Sequence, residues 1–233
     1  MSAPADLSED AVRAVLGTYA SGWLSAGPRV AEFEAALAAA CGVPHAVAVA
    51  STTAARHLAL RAVGVVPGCE VAVSPSAPAA VTAAIELCGA RASVVDDESL
   101  PTLPSGSVTA LVAGRPHGVP HDLGALRAWC DARGLPLVED ALIGSGPPVG
   151  DVAVVSLSAP SPVDVGVGGA VLTASDAHRA AVASWRSHAM TSGTWERHHG
   201  RAASYDVVDV GYNYRLDEPR AALGLARLGE LAG

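Results

Sequence analysis

Apolar residues along the chain fall into two alternating rhythms. Short continuous runs read as strands that are apolar on both faces: HAVAVA (His45 to Ala50), EVAVS (Glu70 to Ser74), ASVVD (Ala92 to Asp96), SVTALVAG, LPLVED (Leu135 to Asp140), DVAVVSLS and GGAVLT. Between them, apolar positions recur three and four apart. Ser8 with Glu9 and Asp10 marks a helix start leading into AVRAVLGTY, which ends before Ser21. In RVAEFEAALAAAC, Val30, Phe33, Leu37 and Cys41 fall on one helical face before a stop at Gly42. STTAARHLALRAVG (Ser51 to Gly64), AAVTAAIELCG and HDLGALRAWCDARG continue the alternation.

Repeated strand–helix units of this kind predict an α/β three-layer sandwich, a mostly parallel sheet with helices on both faces. Strands ending in Ser or Asp place polar groups at the carboxyl edge, where such sheets bind ligands. From Ser175 the pattern turns helical: SDAHRAAVASWRSHAM, a polar loop from Thr191 to about Asp209, GYNYRLDEPR, and a last helix AALGLARLGEL. With 233 residues, half of them apolar, one domain is expected rather than two.

The net charge of −8 excludes nonspecific nucleic-acid binding, which needs a basic face. No basic, apolar leader opens the chain and no apolar run is long enough to span a bilayer, so a cytoplasmic protein is expected. Cys41, Cys69, Cys88 and Cys130 are far apart and read as small buried hydrophobes in a reducing compartment. His198-His199 is the only adjacent pair of metal-ligand type, and it reads as an exposed loop; no metal is expected.

Several words of the sequence carry a resemblance. SGWLSAGP with RVAEFEAALA, HAVAVASTTAARHLAL, PLVEDA, VVSLSAPSPVDVGVGGAVLT, RSHAM and GYNYRLDEPRAALGLARL follow one another from about Ser21 to the end. In order and spacing they resemble the DegT/DnrJ/EryC1/StrS sugar aminotransferases, fold type I pyridoxal-phosphate enzymes. The resemblance implies a single unit over residues 1–233 like that family's large domain. Its parts are an N-terminal helix and dimer-contact segment over 1–27 and a helical C-terminal part over 175–233, without the family's small C-terminal domain.

Residue by residue, the resemblance assigns Ser51 and Thr53 to the cofactor phosphate, with Thr52 where the family has glycine. It assigns Asp140 to the pyridine nitrogen, Ser156 to the phosphate and Asn213 to the neighbouring subunit's phosphate. Other positions depart: Ile143 stands for the ring-oxygen glutamine, Ala79 for the stacking aromatic and Ser161 for the Schiff-base lysine. The chain has no lysine at all, and only a primary amine forms that Schiff base. Some dehydratases of the family carry histidine there, which Ser161 is not. The resemblance therefore implies loss of conventional transamination and no bound cofactor.

Three readings follow. In the first, the protein is a cofactor-independent enzyme of secondary metabolism, such as antibiotic biosynthesis, acting on an anionic substrate. Asp140, His117 and His188 are then its catalytic candidates; Ser51, Thr53, Ser156, Ser161, Asn213 and Tyr212 bind substrate. Asp140 is either an acid–base group or a leftover carboxylate bonded to a nearby histidine, and His117 is either a pocket or a solvated loop residue. His188 sits near the substrate or the dimer interface; Tyr212, Asn213 and Tyr214 line a site shared across a dimer or anchor its interface. His57 and Glu139 read as structural, and the loop from Ser156 to Pro162 holds substrate or has no role. In the second reading the chain is a noncatalytic subunit that pairs with an intact aminotransferase. In the third it binds pyridoxal or pyridoxamine phosphate noncovalently. A homodimer is expected in the first, a heterodimer in the second.

Overall fold

The computed structural model describes residues 7–75, 77–95, 106, 108–114, 123–200 and 202–232. Seven strands form one sheet: β1 (His45–Val49), β2 (Glu70–Val73), β3 (Arg91–Val94), β4 (Ala110–Gly114), β5 (Leu137–Ala141), β6 (Val152–Ser156) and β7 (Gly169–Thr173). Their spatial order is β1-β7-β6-β5-β4-β2-β3. Strands β2 to β6 run parallel, and β7 lies antiparallel to both of its neighbours, β1 and β6.

Alternation within the strands divides the core. Val152 and Val154 of β6 point into a cluster with α3 (Thr52–Ala62) and α4 (Ala79–Leu87), together with Val182 of α6 (Asp176–Trp185). Ala153 and Val155 point the other way, against α2 (Pro28–Ala40) and α8 (Glu218–Ala232). On that same face, α5 (Leu123–Asp131) covers Leu111 and Leu137 in a third cluster. The expected three layers are present. Among the described residues no helix is long and apolar enough to cross a membrane.

Helix starts follow the expected chemistry. Ser8 caps α1 (Glu9–Ser21) and Ser51 caps α3, each hydroxyl accepting from the amide three residues on. The start of α2 has no such side chain of its own. Its amides at Gly27, Arg29 and Val30 donate instead to the carboxylate of Glu218, at 2.9, 3.0 and 3.0 Å, from the first residue of α8. Glu218 is buried, and three N–H donors at the positive end of a helix satisfy it there.

Some boundaries differ from the expected ones. Strand β3 covers Arg91–Val94 rather than 92–96, α8 begins at Glu218 rather than Ala221, and the polar loop after Thr191 contains the short α7 (Thr194–His198). The largest difference is in RSHAM, expected to end a helix through Met190: α6 stops at Trp185. Tyr212 donates its amide to the Trp185 carbonyl at 2.6 Å, and His188 donates its own to the Tyr212 carbonyl at 2.9 Å, so the incoming GYNYR segment takes over the backbone groups that a continuing helix needs. His188 and Ala189 adopt left-handed backbone angles there, φ 62° and 53°. Only glycine fits opposite them, because a Cβ on Gly211 would stand 2.6 Å from His188 Cα.

Candidate functional site

The carboxyl ends of β1, β5 and β6 and the start of α3 gather four of the nine expected site residues: Ser51, Thr53, Asp140 and Ser156. Ser51 Oγ accepts from the Ala54 amide at 3.1 Å, so this hydroxyl caps the helix. The backbone N–H groups of Thr52 and Thr53 have no hydrogen-bond partner among the described residues, as the first amides of a helix do not. Thr52 Oγ1 is hydrogen-bonded to Ser156 Oγ at 3.1 Å and donates to the Gly168 carbonyl at 3.0 Å. The Ser158 amide donates to the same Ser156 hydroxyl at 3.2 Å. Gly169 lets β7 pass this turn: a Cβ there would lie 2.7 Å from Thr52 Cα.

Asp140, at the end of β5, is not bonded to a histidine. Its carboxylate takes Arg56 Nη2 at 2.7 Å to one oxygen and 3.1 Å to the other. Arg56 lies one turn beyond Thr52 on α3, and helical side chains lean toward the N-terminus, which carries the guanidinium back over the first turn. The pair is largely out of water, with side-chain exposures of 11% and 22%. Arg56 Nε is buried and has no hydrogen-bond partner among the described residues. Sequence reasoning passed over this residue, although an arginine inside the otherwise apolar face of ARHLAL was a visible signal, since a buried charge requires a countercharge.

The remaining expected residues have separate surroundings. Ser161 is half-buried in a closed turn: its amide donates to the Ser158 carbonyl at 3.0 Å and its hydroxyl accepts from the Val163 amide at 3.3 Å. Ile143 packs against the α2–α8 cluster, and Ala79 is the first residue of α4. Glu139 is buried and structural, accepting from the amides of Val149 and Gly150 at 2.7 and 3.1 Å. His188 is exposed on its left-handed turn. His117 lies outside the described residues.

A second constellation sits behind α3. The buried ring of His57 makes edge contacts with Tyr212 and Tyr214, and its Nδ1 is 3.3 Å from the Tyr214 hydroxyl. Burial, reinforced by Arg61, pushes its pKa down to about 4, so the ring is neutral near neutrality. Tyr212 stacks on Tyr214 with centroids 4.9 Å apart, and Arg61 donates to the Tyr212 hydroxyl at 3.0 Å while covering the Trp185 ring at 4.2 Å. Asp209 accepts from the Trp185 indole at 2.6 Å; that bond, with the Val210 amide and Arg61, holds its carboxyl below the usual range. Tyr212 is thus a packing and hydrogen-bonding member of a structural cluster. Asn213 projects from between the two tyrosines; its backbone bridges to Ser187, while its side chain is exposed and makes no hydrogen bond among the described residues.

A cavity of about 860 Å³ opens elsewhere, between α1 and the α7 segment, lined by Trp23, Trp195, His198 and His199 among others. It contains none of the expected site residues. Among the described residues no group of three or more His, Cys, Asp or Glu is arranged to hold a metal.

Pyridoxal phosphate does not fit these residues as they stand. Asp140 and the Ser156 hydroxyl, both assigned to it by the resemblance, already have partners within the chain, and Ser161 offers no amine.

A family profile described as the DegT/DnrJ/EryC1/StrS aminotransferase family matches residues 5–233. Among solved structures, the fold is similar to the aminotransferase TlmJ from Streptoalloteichus hindustanus, with a TM-score of 0.86 and 27% identity over 97% of this chain and 65% of that one. DesV of S. venezuelae, solved in complex with a ketimine intermediate, matches with a TM-score of 0.83 and 29% identity over 95% and 62% of the two chains. Helicobacter pylori PseC, an aminotransferase involved in the biosynthesis of pseudoaminic acid, shares the fold with a TM-score of 0.87 at 23% identity, over 97% and 64%. The chain therefore spans about 65% of the length of TlmJ.

Proposed function

We propose, for a chain that belongs to the DegT/DnrJ/EryC1/StrS aminotransferase family, that it serves as a noncatalytic partner of a lysine-bearing aminotransferase and lends residues to that neighbour's site. One observation carries this reading: Asp140 and Ser156, which would serve the chain's own site, are bonded internally, whereas Asn213, which by resemblance serves the neighbour's, is exposed and unpartnered among the described residues. The Ser187 bridge and the stacked tyrosines on either side hold its backbone in place, so its amide is presented from a rigid support. The four cysteines are free, which suits a reducing cytoplasm.

The test is co-expression with a lysine-bearing family member of the same genome. A mixed complex is expected on gel filtration, and Asn213→Ala should leave the complex intact while weakening the partner's hold on its cofactor by about tenfold, the worth of one hydrogen bond to a charged group. A stable homodimer with turnover of its own removes the proposal.

The reading as a cofactor-independent enzyme on an anionic substrate draws on the unpartnered Thr52 and Thr53 amides at the positive end of α3. It requires Asp140 to work while paired with Arg56. Turnover by the chain alone that disappears in Asp140→Asn would favour this reading over the partner role.

A further inference from the structure

The two residues that bind Asp140 and Ser156 from within are not scattered. Thr52 and Arg56 are four apart on α3 and therefore neighbours on one face of the same helix. Each supplies the kind of group that a bound pyridoxal phosphate would supply to the same residue. Toward Asp140 that is a cation, given by the ring nitrogen in the family and here by the guanidinium at 2.7 Å. Toward Ser156 it is an oxygen, given by the phosphate in the family and here by the Thr52 hydroxyl at 3.1 Å.

We infer that this face of α3 is a built-in replacement for the cofactor, and that Arg56 and Thr52, more than the missing lysine, keep pyridoxal phosphate out. The physical reason lies in what an empty pocket would contain. A carboxylate with 22% exposure and no cation is costly, and the Ser156 hydroxyl would be left with only the Ser158 amide at 3.2 Å and the Ser158 carbonyl at 3.4 Å. Within one helical turn Arg56 gives the carboxylate its cation and Thr52 gives the Ser156 hydroxyl a nearer partner. An incoming ring would have to break a charged pair held away from water before it could form its own. A phosphate would meet the Thr52 side chain where close backbone approach requires glycine, with the Gly168 carbonyl and the Ser156 hydroxyl already engaged. This inference concerns the chain's own pocket and stands whether or not the partner role holds.

The experiment introduces the lysine, then removes the guanidinium, then restores the glycine, and measures retention of pyridoxal 5′-phosphate by absorbance after gel filtration, and its affinity by titration. Ser161→Lys alone is expected to hold the cofactor no better than the unaltered protein beyond the weak, exchangeable labelling that any surface amine gives. The double variant Ser161→Lys with Arg56→Leu is expected to bind at least about tenfold more tightly, and adding Thr52→Gly should tighten it again. A second readout needs no cofactor. In a double-mutant cycle, Arg56→Leu and Asp140→Asn should each destabilise the fold, and the combination should destabilise it less than the sum of the two. Where Arg56→Leu does not fold, Arg56→Gln removes the charge at similar length and carries the same comparison. Uptake by Ser161→Lys alone as tight as in the double variant, or strictly additive stability losses at Arg56 and Asp140, would overturn the inference.

Discussion

Glu34 and Arg186 meet across the free edge of β1, one on each side of Ala48. Glu34 accepts from the Ala48 amide at 2.8 Å, and Arg186 donates to the Ala48 carbonyl at 2.7 Å while pairing with Glu34 itself. An edge strand presents unpaired backbone groups to any passing strand. Here two charged side chains, Glu34 of α2 and Arg186 just past α6, close the outward backbone groups of Ala48, and the Ala50 amide finds the Tyr214 carbonyl at 2.8 Å just beyond. Glu34→Ala is expected to destabilise the protein by about 2–4 kcal/mol, since it strands both the Ala48 amide and the Arg186 charge. Denaturant unfolding measures the loss, and light scattering should show more self-association.

Among the described residues the carboxylate of Glu218 is the only side chain that caps the start of α2, and it comes from a residue nearly two hundred positions away. Glu218→Ala should cost about 2–4 kcal/mol, because three N–H groups and a buried space lose their acceptor together. Glu218→Gln, which keeps one amide oxygen, should cost less. Equal effects from both substitutions would indicate that charge, not hydrogen bonding, does the capping.

His57 gives the fold a pH dependence whose sign is fixed. The ordinary imidazole pKa is 6.5 and the folded one is lowered to about 4, so between these values the unfolded chain binds a proton that the folded chain does not. Stability is then full above about pH 6.5, falls as the pH drops toward 4, and loses about 3 kcal/mol from this group across that window. His57→Phe should flatten unfolding free energy measured between those pH values. Of the titratable groups near His57, Tyr214 is pushed up by burial and the Cys88 thiol is pushed up to about 11, so neither changes state there. An unchanged pH slope in the variant would assign the dependence to carboxylates such as Asp151, which the Leu137 amide and Arg127 hold below the usual range against the opposing effect of burial.

Gly211 is expected to tolerate no side chain. A Cβ there collides with the backbone of His188 and Ala189, neither of which can retreat without leaving its left-handed conformation. Gly211→Ala should therefore cost about 3 kcal/mol or displace the whole RSHAM turn. In the second case Asn213, two residues on, loses its fixed position, and partner-directed effects should follow those of Asn213→Ala.

Local patterns in the sequence determined most of the architecture. Continuous apolar runs marked the strands, Ser8 and Ser51 marked their helix starts, and Val30, Phe33 and Leu37 marked the buried face of α2, because each of these signals is written in residues within a turn or two of one another. The family was legible in the same way, as words in a fixed order. What the site residues do was decided only by the tertiary structure. Asp140 and Arg56 are 84 residues apart, Thr52 and Ser156 are 104 apart, and Glu218 reaches α2 across 188 or more. The end of α6 was likewise fixed from a distance, by GYNYR arriving to claim the carbonyl of Trp185. Periodicity reports which face of an element is buried, but the partner of a buried charge or hydroxyl depends on which elements the sheet order brings side by side. At this site Ser51, Asp140 and Ser156, read as ligands for something else, are bonded to the chain itself.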